Sequence, residues 1–247
     1  EGNIERIFPR TSVLPRPTVA NVDLGLVVFA LKDPAPNRRL LDRMLVILEQ
    51  AGLSAVICFN KSDLTDEAAR LSLGADYERI GYPVVYTCTT RQEGREALLS
   101  ALRGHITTMV GPSGAGKSSL VNMLSGESTM EVGEVSDKIR RGKQTTRHVQ
   151  LVEIEDEEAA AAAGTYIVDT PGFSSLEFFD MEKRELASCF PEIANCPGVC
   201  KYASCSHLYE PVADCAIRKS VEAGGISQER YESYRMFYEE IAEAVKY

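Results

Sequence analysis

One stretch limits what this 247-residue chain can fold into more than any other: Gly111-Pro112-Ser113-Gly114-Ala115-Gly116-Lys117-Ser118. It satisfies G-x-x-x-x-G-K-S, follows an apolar run at 107–110 and leads into a helical pattern at 117–124. In that setting the glycines let backbone N–H groups turn inward around a phosphate chain, and the start of the next helix adds its positive dipole end. Lys117 is then expected to reach the β and γ phosphates of a nucleoside triphosphate, and Ser118 to ligate Mg²⁺. Gly111, Ser113, Gly114, Ala115, Gly116 and Ser119 complete the expected cradle. A Gly-rich turn with a chance lysine is the bland alternative, and it leaves the strand before and the helix after without a reason.

The rest of the chain supplies the same strand–helix pattern repeatedly. Apolar runs at 24–31, 55–59, 83–87 and 107–110 read as buried strands, with helical spacings at 37–50, 65–73, 93–103 and 117–124 after them. Two more strands are expected at 149–154 and 166–168. Such alternation implies an α/β fold with a mostly parallel sheet, helices on both faces, and ligands at the carboxyl ends of the strands. Past Asp180 the alternation stops. A loop-like, Cys-rich stretch at 189–215 leads to an amphipathic helix at 227–247, with Tyr231, Tyr234, Phe237, Ile241 and Val245 on one side.

No apolar run approaches the roughly 18 residues that cross a bilayer, and the first residues lack a signal-peptide core. No membrane partner and a cytoplasmic location are therefore expected. A net charge of -9 argues against nonspecific coating of nucleic acid. Residues 136–148 depart from it, with five Lys/Arg against one Asp, as a basic island in an acidic chain.

Two further motifs specify the nucleotide. Asn60-Lys61-Ser62-Asp63 follows the strand that ends at Phe59. The Asp63 carboxylate can accept from both N1–H and the exocyclic amine of guanine, a donor pair that adenine lacks. The Lys61 stem can cover one face of the base, and Asn60 can brace the loop. Asp169-Thr170-Pro171-Gly172 follows the strand at 166–168. Asp169 is expected to hold Mg²⁺, through water, and Gly172 to contact the γ phosphate. GTP and GDP are thus the expected ligands. The order is unusual, because the base motif precedes the phosphate loop, which precedes D-T-P-G. That is a circular permutation of the common GTPase order, and it hangs the switch-bearing half next to the Cys-rich segment.

Taken together, the chain resembles the circularly permuted GTPases that act on the small ribosomal subunit, the RsgA/YjeQ family. The likeness rests on PRPTVANVD at 15–23, N-K-S-D, GPSGAGKSSLVN, G-x-x-T-T at 142–146, D-T-P-G-F, and the cysteine segment with Glu210-Pro211. It implies an OB barrel before the GTPase domain and a zinc domain after it. Residues 1–18 are then a remnant or linker from a largely absent OB domain, 19–180 the permuted GTPase domain, and 181–247 a zinc-binding domain with a closing helix. It also implies GTP hydrolysis in late maturation of the small ribosomal subunit, with that subunit and its rRNA as partners of a monomer. Three places depart from the family pattern. Gln144 stands where the family commonly has a catalytic His. Cys88-Thr89 stands where a Ser-Ala pair usually contacts guanine O6, work that backbone N–H groups can also do. The zinc-ligand spacing is longer than usual after the histidine.

Within 142–146 we expect Thr146 to complete Mg²⁺ coordination in the GTP state, with Thr145 as the alternative. Phe173 follows D-T-P-G where many GTPases carry a water-orienting Gln, and a phenyl ring cannot position water. Gln144 is a candidate substitute, the other reading being an exposed loop amide. Slow turnover in isolation is expected either way. Cys200, Cys205, His207 and Cys215 spell C-x4-C-x-H-x7-C, a soft tetrahedral set suited to a structural Zn²⁺ with no open position. Cys196 is a rival ligand, and Cys58, Cys88 and Cys189 read as core residues. The competing function is a GTP-gated ribosome-binding module with negligible intrinsic hydrolysis.

Overall fold

The run Leu24–Ala30 is apolar on both faces and becomes the central strand, with all seven residues buried. The structure is a computed structural model that describes residues 6, 9–14, 18–126, 150–155, 164–169, 178 and 181–244. A small antiparallel hairpin, β1 (Val13–Leu14) and β2 (Val19–Ala20), precedes β3 (Leu24–Ala30). Then come α1 (Arg38–Gln50), β4 (Ser54–Asn60), α2 (Glu67–Ile80), β5 (Val84–Tyr86), α3 (Arg95–Leu102), β6 (Ile106–Val110), α4 (Lys117–Ser125), β7 (Gln150–Ile154) and β8 (Thr165–Asp169). The C-terminal part holds α5 (Lys183–Leu186), α6 (Pro191–Ala194), α7 (Ala216–Glu222) and α8 (Gln228–Ala244).

The main sheet runs β5-β4-β3-β6-β8-β7 and is parallel except for the edge strand β7, which pairs antiparallel with β8. Alternate residues of β3 point to opposite faces. Val27 and Phe29 join Leu41, Met44, Leu45 and Leu48 of α1, whereas Leu26 and Val28 join Leu98 of α3 and Leu120, Val121 and Leu124 of α4. The helix after β3 therefore covers one face and the helix after β6 the other. Because β3 and β6 are neighbours, their outgoing loops part and leave a crevice between them, the usual ligand position in such a sheet. This is an α/β fold with a mostly parallel sheet and a Cys-rich C-terminal part, as the sequence implies.

One helix differs from expectation. The helix expected at 65–73 extends to Ile80, passing through Gly74. A Cβ on Gly74 would lie 2.0 Å from the Tyr86 hydroxyl oxygen, so the glycine marks the close approach of helix to strand and not a break. The closing helix is described over Gln228–Ala244, with Tyr234, Phe237 and Ile241 buried as expected; Val245 lies outside the described residues. One buried member of that helix is charged. Arg230 is 2% exposed and reaches Asp42 of α1 (Nη1–Oδ1 2.7 Å) and Glu192 of α6 (Nε–Oε1 2.7 Å). Asp42, itself 1% exposed, also accepts from Tyr77 (2.9 Å) and Ser233 (2.6 Å). This network and a third apolar cluster that includes Val46 fasten the C-terminal helices onto α1.

Candidate functional site

The phosphate loop leaves the carboxyl end of β6 and enters α4 at Lys117. Lys117 Nζ folds back to the carbonyl oxygens of Gly111 (2.7 Å) and Pro112 (2.9 Å), which places its ammonium over the hollow of the loop. Ala115 is fully buried, Ser113 is exposed, and Gly114, Gly116, Ser118 and Ser119 are half-buried. The first turn of α4 directs its N–H groups toward the same hollow. An anion there would meet inward-facing N–H groups, a dipole end and an ammonium.

The base motif sits at the carboxyl end of β4. Asn60, 1% exposed, donates from Nδ2 to the Ala115 carbonyl at 3.0 Å, which ties the base loop to the phosphate loop. Gly116 makes that contact possible: its φ is +94°, and a Cβ there would lie 2.2 Å from Asn60 Nδ2. Lys61 takes a left-handed φ of 58°, and its Nζ donates to the Asp33 carbonyl in the loop between β3 and α1. Asp63 is exposed at the mouth of the crevice.

Two side chains hold these groups in place in a way the sequence did not indicate. The Thr87 hydroxyl, fully buried, donates to Asn60 Oδ1 at 3.1 Å, so the amide's other end must face Ala115. Cys88 is buried as expected of a core residue, yet its thiol also donates to Asp63 Oδ1 at 3.2 Å. Thr89, half-buried, follows it in the same turn. Thr87 carried no signal of its own in the sequence, since it closes an apolar run, whereas Cys88 was expected at the guanine-O6 position and in the core but not as a donor to Asp63. Asp169 ends β8, one residue beyond the Thr108–Val168 pair with β6 and thus beside the start of the phosphate loop. Gln144, Thr146 and Gly172, with Thr145, Phe173 and the basic island at 138–147, lie outside the described residues.

The second cluster joins Cys200, Cys205, His207 and Cys215, whose ligand atoms all lie within 4.8 Å of one another. A tetrahedral Zn²⁺ with bonds of about 2.3 Å to sulfur and about 2.0 Å to nitrogen has S···S edges of about 3.8 Å and S···N edges of about 3.5 Å. Here Cys200 Sγ lies 3.9 Å from Cys215 Sγ, and His207 Nδ1 lies 3.5 and 3.6 Å from those two sulfurs. The set is therefore compatible with zinc bound through Nδ1. Burial keeps His207 below its ordinary pKa, which favours the neutral imidazole that ligates metal. The ligand loop is braced from outside: Glu210 accepts from Ser206 N at 2.7 Å, and Tyr231 and Tyr234 donate to the carbonyls of His207 (2.6 Å) and Ser206 (2.9 Å). Cys196 stands outside the cluster, with Sγ 3.7 Å from the Pro197 carbonyl.

Residues 7–179 match the family model described as RsgA GTPase. The chain belongs to the RsgA GTPase family. Among RsgA relatives, it is 44% identical over 246 residues to the small ribosomal subunit biogenesis GTPase RsgA of Agathobacter rectalis, covering 100% of this chain and 78% of that protein. The namesake from Clostridium beijerinckii is 45% identical over 247 residues, covering 100% and 82%. The crystal structure of YjeQ from Thermotoga maritima superposes with a TM-score of 0.77 at 35% identity, covering 96% of this chain and 78% of that one. YloQ, described as a circularly permuted GTPase, gives 0.76 at 33% identity, covering 97% and 75%. The RsgA assignment agrees with the motif order along the sheet: base loop after β4, phosphate loop after β6, and D-T-P-G beginning at Asp169, the last residue of β8.

Proposed function

We propose that this chain hydrolyses GTP to GDP and phosphate and acts in maturation of the small ribosomal subunit. The observation that carries the GTP part is the Asn60–Ala115 bond, which brings a guanine-type base loop and a phosphate loop into one crevice. Family membership carries the ribosomal part. In this reading Lys117 balances the β and γ phosphate charge, and residues 111–116 with Ser119 line the phosphates through backbone N–H groups. Asp63 reads guanine, Lys61 covers the base, and the backbone of Cys88 and Thr89 faces O6. Ser118 and Thr146 would ligate Mg²⁺ directly and Asp169 through water, with Gly172 contacting the γ phosphate. Bound Mg²⁺ would offset the charge that develops on the phosphoryl oxygens. Gln144 is the candidate amide for orienting water. Cys200, Cys205, His207 and Cys215 would hold one structural Zn²⁺.

The rRNA is the proposed contact of the basic island at 138–147, and we take the protein to act as a cytoplasmic monomer. Among the described residues no helix is long and apolar enough to cross a membrane.

Two variants test the base pocket. Asp63→Asn should shift preference from guanine to xanthine nucleotides, because the xanthine carbonyl then faces an amide donor. Each unmatched pair with guanine costs about 1 to 3 kcal/mol, roughly 5- to 150-fold in affinity. GDP binding as tight as the parent's, measured by titration calorimetry, would remove Asp63 from the role. Cys88→Ala should weaken GDP binding by about 1 kcal/mol, roughly five-fold, since a thiol is a weak donor to a charged acceptor. Cys88→Ser keeps a donor and should restore the affinity. Equal GDP affinities for the alanine variant and the parent would leave the thiol no part in orienting Asp63.

A further inference from the structure

The turn proposed to face guanine O6 leads straight into a helix whose first side chain reaches across to the phosphate-loop helix. Cys88 and Glu93 close that turn with a pair of backbone hydrogen bonds, from Cys88 N to the Glu93 carbonyl at 3.0 Å and from Glu93 N to the Cys88 carbonyl at 3.1 Å. Gly94 then packs against the end of β5. Its φ is +79°, and a Cβ there would lie 2.1 Å from the Tyr86 carbonyl oxygen, so glycine is required for this approach. Arg95 follows as the first residue of α3 and therefore starts from a fixed point. Its Nε donates to the Met123 carbonyl and its Nη2 to the Leu124 carbonyl, each at 3.1 Å, in the last turn of α4. Its Nη1 goes to Glu96 at 2.7 Å.

Helix α4 is thus tied at both ends to elements that carry the base-side residues. Asn60 holds the loop before its start through the Ala115 carbonyl, and Arg95 holds its last turn. Between these ties, Leu98 of α3 shares an apolar cluster with Leu120, Val121 and Leu124 of α4. Apolar burial keeps the two helices together, but it is non-directional and leaves α4 room to slide or turn by small amounts. Two hydrogen bonds from one planar guanidinium are directional, and they fix the last turn of α4 in position and in rotation. The positive charge also suits the negative end of the α4 dipole. At about 1.5 Å per residue this anchor lies roughly 10 Å along the helix from Lys117, so a small tilt about it moves the loop that receives phosphate.

We propose that Arg95 is a positioning residue that sets the spacing between the guanine-O6 turn and the phosphate loop, by clamping the last turn of α4 to the start of α3. The inference rests on the reading of these two loops as the base and phosphate sites. A ligand that spans both loops needs this spacing, whereas one that occupies a single loop does not.

The test uses the full chain with GDP, guanosine and inorganic pyrophosphate as probes, followed by titration calorimetry, the two weaker probes in competition with GDP. In Arg95→Ala the GDP affinity should fall by roughly five-fold or more, the lower end of typical coupling between two sites. Guanosine and pyrophosphate should keep the parent's affinity, because each fills one loop only. Arg95→Lys, whose ammonium lacks the planar fork, should show the same selective loss, and it carries the comparison if the alanine variant does not fold. Unchanged GDP affinity in folded variants overturns the proposal. A fall in pyrophosphate or guanosine affinity by the same factor as GDP overturns it too, because Arg95 then maintains one loop and not the spacing between two. Either result leaves the GTPase reading standing. A parent that binds no GDP overturns the GTPase reading, and this inference with it.

Discussion

Lys117→Ala should abolish productive GTP turnover while leaving the fold in place. The ammonium lies over the hollow of the loop, 2.7 Å from the Gly111 carbonyl and 2.9 Å from that of Pro112, where a bound phosphate chain would pass. It is the cation the crevice contributes at that point, alongside the dipole end of α4. Removing one preorganised group of this kind from a phosphoryl or acyl transition state typically lowers turnover by about 10²–10³-fold. The stability cost should be small, because the side chain is half-buried at the first position of α4 and its removal leaves no apolar cavity. A melting shift beyond about 2–4 °C, which at this chain length corresponds to about 1 kcal/mol, is not expected. GTP turnover near the parent's rate in a folded Lys117→Ala protein would contradict the phosphate-loop assignment.

The largest effect on stability is expected at Arg230. Burial opposes its charge, but Asp42 and Glu192 outweigh that and push its pKa further up, so the guanidinium stays ionised. Arg230→Ala strands two carboxylates, with side-chain exposures of 2% and 8%, without their cation. Breaking a buried pair in this way costs about 3–5 kcal/mol, an order larger than losing an exposed pair. The melting temperature should fall by about 6–20 °C at roughly 2–4 °C per kcal/mol. Adding Asp42→Asn should recover part of the loss, since a buried amide costs less than an unpaired carboxylate. If Arg230→Ala melts within a degree or two of the parent, or Asp42→Asn lowers the double variant further, the network does not hold α8 to α1.

Much of the nucleotide crevice was legible because its requirements are local. Glycine at 111, 114 and 116 and lysine at 117 answer to backbone turns and phosphate charge within eight residues, and the permuted order follows from reading three such motifs in sequence. The zinc-type set was legible for the same reason, as its four ligands fall within sixteen residues. The ion network was not. Arg230 and Asp42 are 188 residues apart, and on its own helix Arg230 reads as a solvated charge until α1 and α6 cover it. Thr87 and Cys88 belong to the same class: each acts on a residue of the base motif that only β4–β5 pairing brings near. The extension of α2 through Gly74 was not legible for a related reason, because the Tyr86 side chain that crowds Gly74 comes from another element. Local chemistry can be read from a chain directly, whereas contacts made by folding need the fold.

The central claim, a GTPase whose turnover serves the small ribosomal subunit, meets its most direct test in multiple-turnover GTP hydrolysis with and without purified small subunits. Phe173 after D-T-P-G leaves that position unable to orient water, so the protein alone should turn over slowly. Small subunits should raise the rate by roughly ten-fold or more, within the range over which a partner completes a GTPase site, and large subunits should not. Hydrolysis that stays at the same low rate with small subunits present would contradict the account and favour a GTP-gated binding module instead.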